Sequence, residues 1–169
     1  MANAKEARKT AEAVSAAERE KQGLIYAMRL LSIAKRSERD LKLRLNAKGY
    51  PPDSIIQIIE RLKSQKLVND LELAKNVIQW SQFGNPIGKH RIRLELRKKG
   101  LADSVIGEAL EPYDERSEHE AAERLAYERF ERLKNLDGMK RRKRVYDFLI
   151  RRGFAYDVCR DIISNLGRE

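Results

Sequence analysis

Apolar residues recur at helical spacing from Leu24 onward. Leu24, Met28 and Leu31 fall at i, i+4 and i+7, and Leu73, Val77 and Trp80 repeat that interval. Leu41 and Leu45 form an i, i+4 pair, and Ile55, Ile56, Ile59 and Leu62 make a further stripe. No stretch alternates convincingly as a strand would. Leu41–Leu45 does alternate, but it lies among strong helix formers. Breaks fall at Gly49-Tyr50-Pro51-Pro52, Gly84-Asn85-Pro86, Gly100 and Gly153. The pattern predicts an all-α chain, with the first helix of each unit near 24–35, 70–83 and 117–135.

Three segments align on one glycine: LKLRLNAKGYPPDSIIQII, IRLELRKKGLADSVIGEAL and VYDFLIRRGFAYDVCRDII, centred on Gly49, Gly100 and Gly153. Eight residues before the glycine stand Leu41, Ile92 and Val145. Four before stand Leu45, Leu96 and Leu149. One before stand Lys48, Lys99 and Arg152, and one after stand Tyr50, Leu101 and Phe154. An acid follows in each: Asp53, Asp103 and Asp157. The unit reads as a helix, a glycine in the left-handed C′ position, a short turn, an Asp N-cap and a second helix. With the preceding helix, each unit has three helices. Such short units bury little alone, so neighbours are expected to stack. The expected fold is all-α, three tandem three-helix repeats stacked in an elongated, curved array. Residues 1–23 are read as a flexible charged N-terminal extension, 24–69 as repeat 1, 70–114 as repeat 2 and 115–169 as repeat 3.

Charge changes the picture next. The 169 residues carry 36 Lys and Arg against 26 Asp and Glu, a net charge of +10. Lys35–Lys48 holds +4, Lys89–Lys99 +5 and Lys140–Arg152 +6, leaving −5 for the remainder. The excess therefore sits in one equivalent helix of each repeat, where stacking would align it into a stripe. On a helical wheel set by the core positions, Arg39, Lys42 and Asn46 share an arc. Their equivalents are His90, Arg93 and Arg97, then Lys143, Tyr146 and Ile150. The candidate partner- or nucleic-acid-binding residues are Arg36, Arg39, Lys42, Lys89, Arg91, Arg93, Arg97, Lys98, Lys140, Arg141, Arg142, Lys143 and Arg144. Leu43 and Leu94 project away from the core direction and are expected to pack between repeats. The equivalent Asp147 suits a solvent-facing terminal unit.

Catalytic constellations are missing from the pattern. There is no GxxxxGK[ST], GxGxxG or GxSxG. The lone Cys159 falls on an apolar face beside Val158 and Ile162 and reads as a buried thiol. Having only one cysteine fits a reducing cytoplasm. His90 lies between Lys89 and Arg91, which opposes metal binding, and His119 lies on a solvated acidic surface. Trp80 lies on a helix stripe and is expected in the core rather than as a base-stacking platform. No apolar run approaches the length needed to cross a bilayer. No enzyme activity, cofactor or metal is expected.

The ordered succession of RLLSIAKRSERDLKLRL at Arg29–Leu45, VNDLELA at Val68–Ala74, ELRKKGL at Glu95–Leu101 and RRGFAYDV at Arg151–Val158 resembles the bacterial RecX regulatory family. The resemblance runs from about residue 24 to the C-terminus. It implies a non-enzymatic cytoplasmic modulator that binds the RecA recombinase filament on DNA. Such a modulator inhibits the ATPase, strand-exchange and co-protease activities of RecA, and so acts on DNA repair, homologous recombination and the SOS response. Contact with DNA is expected to be weak and sequence-independent, with no membrane partner and a monomeric chain. Two other readings stay open: a basic helical DNA-binding protein, and a helical-repeat scaffold without RecA specificity. Against a helix-turn-helix regulator, the basic helix precedes its glycine turn, whereas a recognition helix follows.

Overall fold

A computed structural model describes residues 2–84 and 86–166, with side chains from Ala17 onward. Among the described residues the chain is all-α with no strand, as the apolar spacing predicts. The helices are α1 (Ala2–Ile33), α2 (Glu38–Ala47), α3 (Pro52–Ser64), α4 (Asp70–Gln82), α5 (Lys89–Lys98), α6 (Asp103–Leu110), α7 (Glu115–Arg132), α8 (Gly138–Arg151) and α9 (Tyr156–Asn165). They group as three successive sets of three, and α2, α5 and α8 are the basic helices.

Gly49, Gly100 and Gly153 adopt φ of 85°, 83° and 81°. In this left-handed region a Cβ would crowd the following carbonyl, so glycine ends the basic helix of each repeat. Around Gly49 the cap is a Schellman motif: Tyr50 N–H donates to Leu45 O at 3.2 Å and Gly49 N–H to Asn46 O at 2.9 Å. Phe154 and Gly153 repeat it on Leu149 O (3.3 Å) and Ile150 O (2.9 Å). Leu101 and Phe154 are buried, as expected for the apolar residue that folds back after the turn. The first repeat has a second left-handed stop after α3, where Lys66 takes φ 57° without being glycine.

The Asp N-caps are not formed. Pro51, Ala102 and Ala155 occupy the N-cap positions of α3, α6 and α9 in extended conformation, without a side-chain cap. Asp53, Asp103 and Asp157 lie one or two residues further in, where they act on the positive end of the helix dipole rather than on individual N–H groups. Side chains that do cap include Ser37, Asn69, Asp114 and Asp137, which accept from Asp40, from Glu72, from Ser117 and from both Met139 and Lys140.

The N-terminal stretch read as a flexible extension continues as helix, without a break at Gly23. Glu20 lies 3.8 Å from Arg61 on α3, and a methyl at Gly23 would meet Ile58 and Tyr50. Gly23 therefore permits close packing of α1 on α3 and does not end a helix.

The chain forms two compact units, Met1–Leu73 with Lys99–Leu101, and Ala74–Lys98 with Ala102–Glu169. The first has a core of Ala27, Leu41, Leu45, Ile55, Ile58, Ile59, Leu62 and Val68. The second contains a core from α7, α8 and α9 that includes Leu125, Val145, Leu149, Phe154, Cys159 and Ile162. Leu41, Leu45, Ile92, Leu96, Val145 and Leu149, read from the glycine register, are all fully buried.

Candidate polyanion-binding helices and the joints that hold them

Each of α2 and α5 begins against the glycine turn that closes the next basic helix. At α2, Ser37 Oγ donates to Lys99 O and accepts from Asp40 N–H, using both roles of the hydroxyl. The adjacent Glu38 N–H donates to Asp70 Oδ1 at 2.9 Å. At α5, Gly88 N–H donates to Arg152 O at 3.0 Å and His90 N–H to Gly153 O at 3.2 Å. The adjacent Lys89 N–H donates to Glu118 Oε1 at 2.9 Å. Ser37 and Gly88 each stand twelve residues before their own repeat glycine, and Lys99 and Arg152 each stand one before the next. The same joint is thus built twice. A helix N-terminus meets the carbonyl end of the next basic helix, and a carboxylate on that repeat's first helix takes the first N–H. The first compact unit runs into α4 and includes Lys99–Leu101 because Asp70 and Lys99 both hold the start of α2.

These joints impose tight packing. A Cβ at Gly153 would stand 2.5 Å from Arg91 Cβ and 2.6 Å from Arg91 N. A Cβ at Gly88 would collide with Gly153 O and Phe154 N. Gly49, which closes the first basic helix, has open space at the same position. Burial raises the Asp70 carboxyl above its ordinary range, against the lowering hydrogen bond from Glu38 N–H. Glu118 is only 3 % exposed and sits beside Tyr113, whose phenol burial pushes up to about 12.

The candidate cations divide by what they touch. Arg36 is half-buried, bonded to Asp40 (2.9 Å) and Leu30 O (3.3 Å). Arg141 packs its guanidinium on the Phe130 ring, donates to Phe130 O at 2.6 Å and pairs with Glu131 at 2.9 Å. Both are committed to the fold. Arg142 donates to Leu166 O at 3.1 Å, near the C-terminus of α9. Lys89 holds its ammonium 5.7 Å from the Tyr113 ring centre. Lys42 pairs with Glu38 (2.6 Å), Arg91 and Lys98 share Glu95 (3.1 and 3.4 Å), and Arg97 pairs with Asp103 (2.7 Å). These pairs are largely exposed, where each contributes about 0–1 kcal/mol, so a polyanion can displace the acid. Arg39, Arg93, Lys140, Lys143 and Arg144 form no ion pair among the described residues. All but the half-buried Arg93 are exposed.

Several expectations are corrected. Leu43 and Leu94 are 60 % and 45 % exposed rather than packed between repeats. Asp147, read as solvent-facing, is half-buried. Trp80 is 77 % exposed, not core, because the α4 face that buries Leu73, Ala74 and Ile78 lies to one side of it. Cys159 is fully buried, and burial pushes its thiol up to about 11. His119 stands 3.3 Å from Asp161 at the surface. Among the described residues no group of three or more His, Cys, Asp or Glu could hold a metal ion, and no helix is long and apolar enough to cross a membrane. The joint residues Ser37, Asp70, Gly88 and Glu118 were not singled out by sequence.

Comparison with known proteins places this architecture. Residues 24–62 match the model of the RecX first three-helix domain, and residues 117–163 that of the RecX third three-helix domain. The regulatory protein RecX of Mycolicibacterium smegmatis is 32 % identical over 151 residues, covering 86 % of this chain and 80 % of the relative. That of Clostridioides difficile is 36 % identical over 140 residues, covering 83 % of this chain and 66 % of the relative. The crystal structure of RecX from Lactobacillus salivarius superposes with a TM-score of 0.81 at 26 % identity, covering 89 % of this chain and 97 % of that one. With three-helix repeats, repeated glycine stops and relatives aligned over most of its length, the chain belongs to the RecX family of regulatory proteins.

Proposed function

We propose that this protein binds the RecA recombinase filament on DNA and inhibits its ATPase, strand-exchange and co-protease activities, without catalytic turnover of its own. It acts as a monomer in the cytoplasm, where it modulates recombination and repair. The observation that carries the reading is family membership across the repeats, combined with a basic helix in every repeat. Arg39, Arg93, Lys140, Lys143 and Arg144 have charge to offer a partner, and Lys42, Arg91, Arg97 and Lys98 can exchange weak surface pairs for it. Lysine and arginine in such helices meet phosphates of the filament's DNA or carboxylates of RecA.

The test titrates the protein into RecA hydrolysing ATP on single-stranded DNA. Inhibition is expected at substoichiometric to stoichiometric protein. Undiminished RecA activity at stoichiometric excess, at low and moderate salt, rejects the proposal. Replacing Lys140, Lys143 and Arg144 by Glu should weaken filament binding while leaving thermal unfolding unchanged, since all three are exposed and form no ion pair among the described residues. If they meet phosphate, each lost contact lowers the log–log salt slope by about one.

A further inference from the structure

Trp80 and Phe83, at the end of α4, are 77 % and 67 % exposed. Their rings meet edge-on with centroids 6.4 Å apart and planes at 61°, so faces of both remain open. Exposed neighbouring aromatics on a chain with 7 % aromatic residues call for a partner. We infer that this pair is a base-stacking platform for single-stranded nucleic acid, with cationic side chains of α5 taking the adjoining phosphates.

Charge selects this partner over an apolar protein surface. From Leu73 to Leu94 there is no Asp or Glu for 22 residues, the longest such run in a chain with 26 acids. The run contains both aromatics together with Lys75, Lys89, His90, Arg91 and Arg93. Along this stretch the chain offers a phosphate strand cations without an acid of its own, and the acids near them come from elsewhere: Glu108, Glu111, Asp114 and Glu115 line the groove at Lys89 and Arg93, and Glu95 pairs with Arg91. A groove of about 420 Å³ on another face of the same helix is lined by Lys75, Gln79, Gln82 and Ser117 without a carboxylate, and neither ring enters it.

The backbone holds the two halves of the site together. Ile87 N–H donates to Ser81 O at 3.2 Å, closing the segment between the helices. Gly88 N–H then bonds Arg152 O at 3.0 Å, and Arg152 reaches Pro86 O at 3.4 Å. Trp80 adjoins Ser81, and Lys89 lies two residues past Ile87. At about 3.8 Å per residue step, and with the Ser81–Ile87 hydrogen bond between them, the Trp80 and Lys89 backbones are within about 19 Å. One strand can therefore stack a base on Trp80 and reach the α5 cations.

Trp80 is the only tryptophan, so its fluorescence reports the contact directly. The experiment uses the full chain and no recombinase, so its outcome is independent of the RecA proposal. The probes are a 20-nucleotide oligothymidylate, an abasic strand of the same length, and a duplex. Oligothymidylate should quench Trp80 emission and bind more tightly than the abasic strand or the duplex. Trp80→Ala should weaken oligothymidylate binding by about 5- to 150-fold, the range for one lost base stack, with the salt slope unchanged. Trp80→Phe should retain most of the affinity, and thermal melts of both variants check folding. Unquenched Trp80 in the bound complex, or wild-type affinity in folded Trp80→Ala, overturns the inference. So does concentration-dependent dimerisation abolished by Trp80→Ala, which would assign the aromatic pair to a second copy of the chain.

Discussion

The repeated joint predicts a graded response to one added methyl group. Gly49→Ala meets no neighbour, so it suffers only the left-handed backbone penalty at φ 85°, about 1–2 kcal/mol. Gly153→Ala has nearly the same φ of 81° but also drives Cβ to within 2.6 Å of the Arg91 backbone nitrogen. Overpacking adds about 1–3 kcal/mol, so the loss should be about 2–5 kcal/mol. Gly88→Ala lies outside the left-handed region and isolates the collision, because its Cβ strikes the Gly153 and Phe154 backbone. It should lose about 1–3 kcal/mol. Urea unfolding gives the free energies, provided the slope is unchanged among variants. Because Gly88 and Gly153 meet in one contact, the double variant should lose less than the sum of the two. Equal losses at Gly49 and Gly153, or wild-type stability of Gly88→Ala, would refute the joint.

Ser37→Ala should cost about 1 kcal/mol in the same assay, through loss of the cap on α2 and the link to Lys99. Asp70→Ala leaves Glu38 N–H without its acceptor and should lose about 1 kcal/mol, whereas Asp70→Asn keeps an acceptor without a buried charge and should match or exceed wild type at pH 7. Lys66→Gly should gain about 1 kcal/mol by relieving the left-handed lysine after α3. Hydrogen bonds from Lys42 and Lys63 lower the Glu38 carboxyl, and for Asp40 those from Arg44 and Arg36 outweigh burial. Their stabilisation is present above the ordinary values of 4.5 and 3.8 and is lost as pH falls through the lowered ones, which pH-dependent melting will show.

The glycine register was legible because three demands coincide at one offset: a left-handed stop, two buried positions before it and an apolar residue after it. Only glycine meets the first cheaply, and burial forces the others, so Gly49, Gly100 and Gly153 mark the same place in three helices. The Asp positions misled because an extended Pro51, Ala102 or Ala155 can precede a helix without a side-chain acceptor. An acid nearby then serves the dipole equally well from inside the first turn. Leu43, Leu94 and Trp80 misled for another reason. Periodicity reveals which face a residue occupies, but not whether anything covers that face. The joints left no periodic signal at all. Ser37 and Asp70 are far apart in sequence, and Ser37 and Gly88 do one job with different chemistry, a hydroxyl in one and a bare backbone in the other.

The joints also decide how the basic helices can meet a polyanion. A free helix N-terminus is a ready phosphate site, through its unpaired N–H groups and positive dipole end. Here Glu38 N–H is held by Asp70 and Lys89 N–H by Glu118, each a carboxylate in the place a phosphate would take. At α8, Asp137 accepts from Met139 and Lys140 N–H in the same way. All three basic helices thus present cationic side chains while an internal acid occupies the N-terminus. Their recognition of phosphate or carboxylate must then come from Lys and Arg along the helix, which makes it salt-dependent and tolerant of sequence. It also makes the joint a positioning device, because the direction in which Arg91 and Arg93 leave α5 is set where Gly88 meets Gly153. Gly88→Ala removes no charge, yet on this reasoning it should weaken filament binding at a temperature where the variant remains folded. Wild-type binding by the folded variant would show that the cations act without the joint.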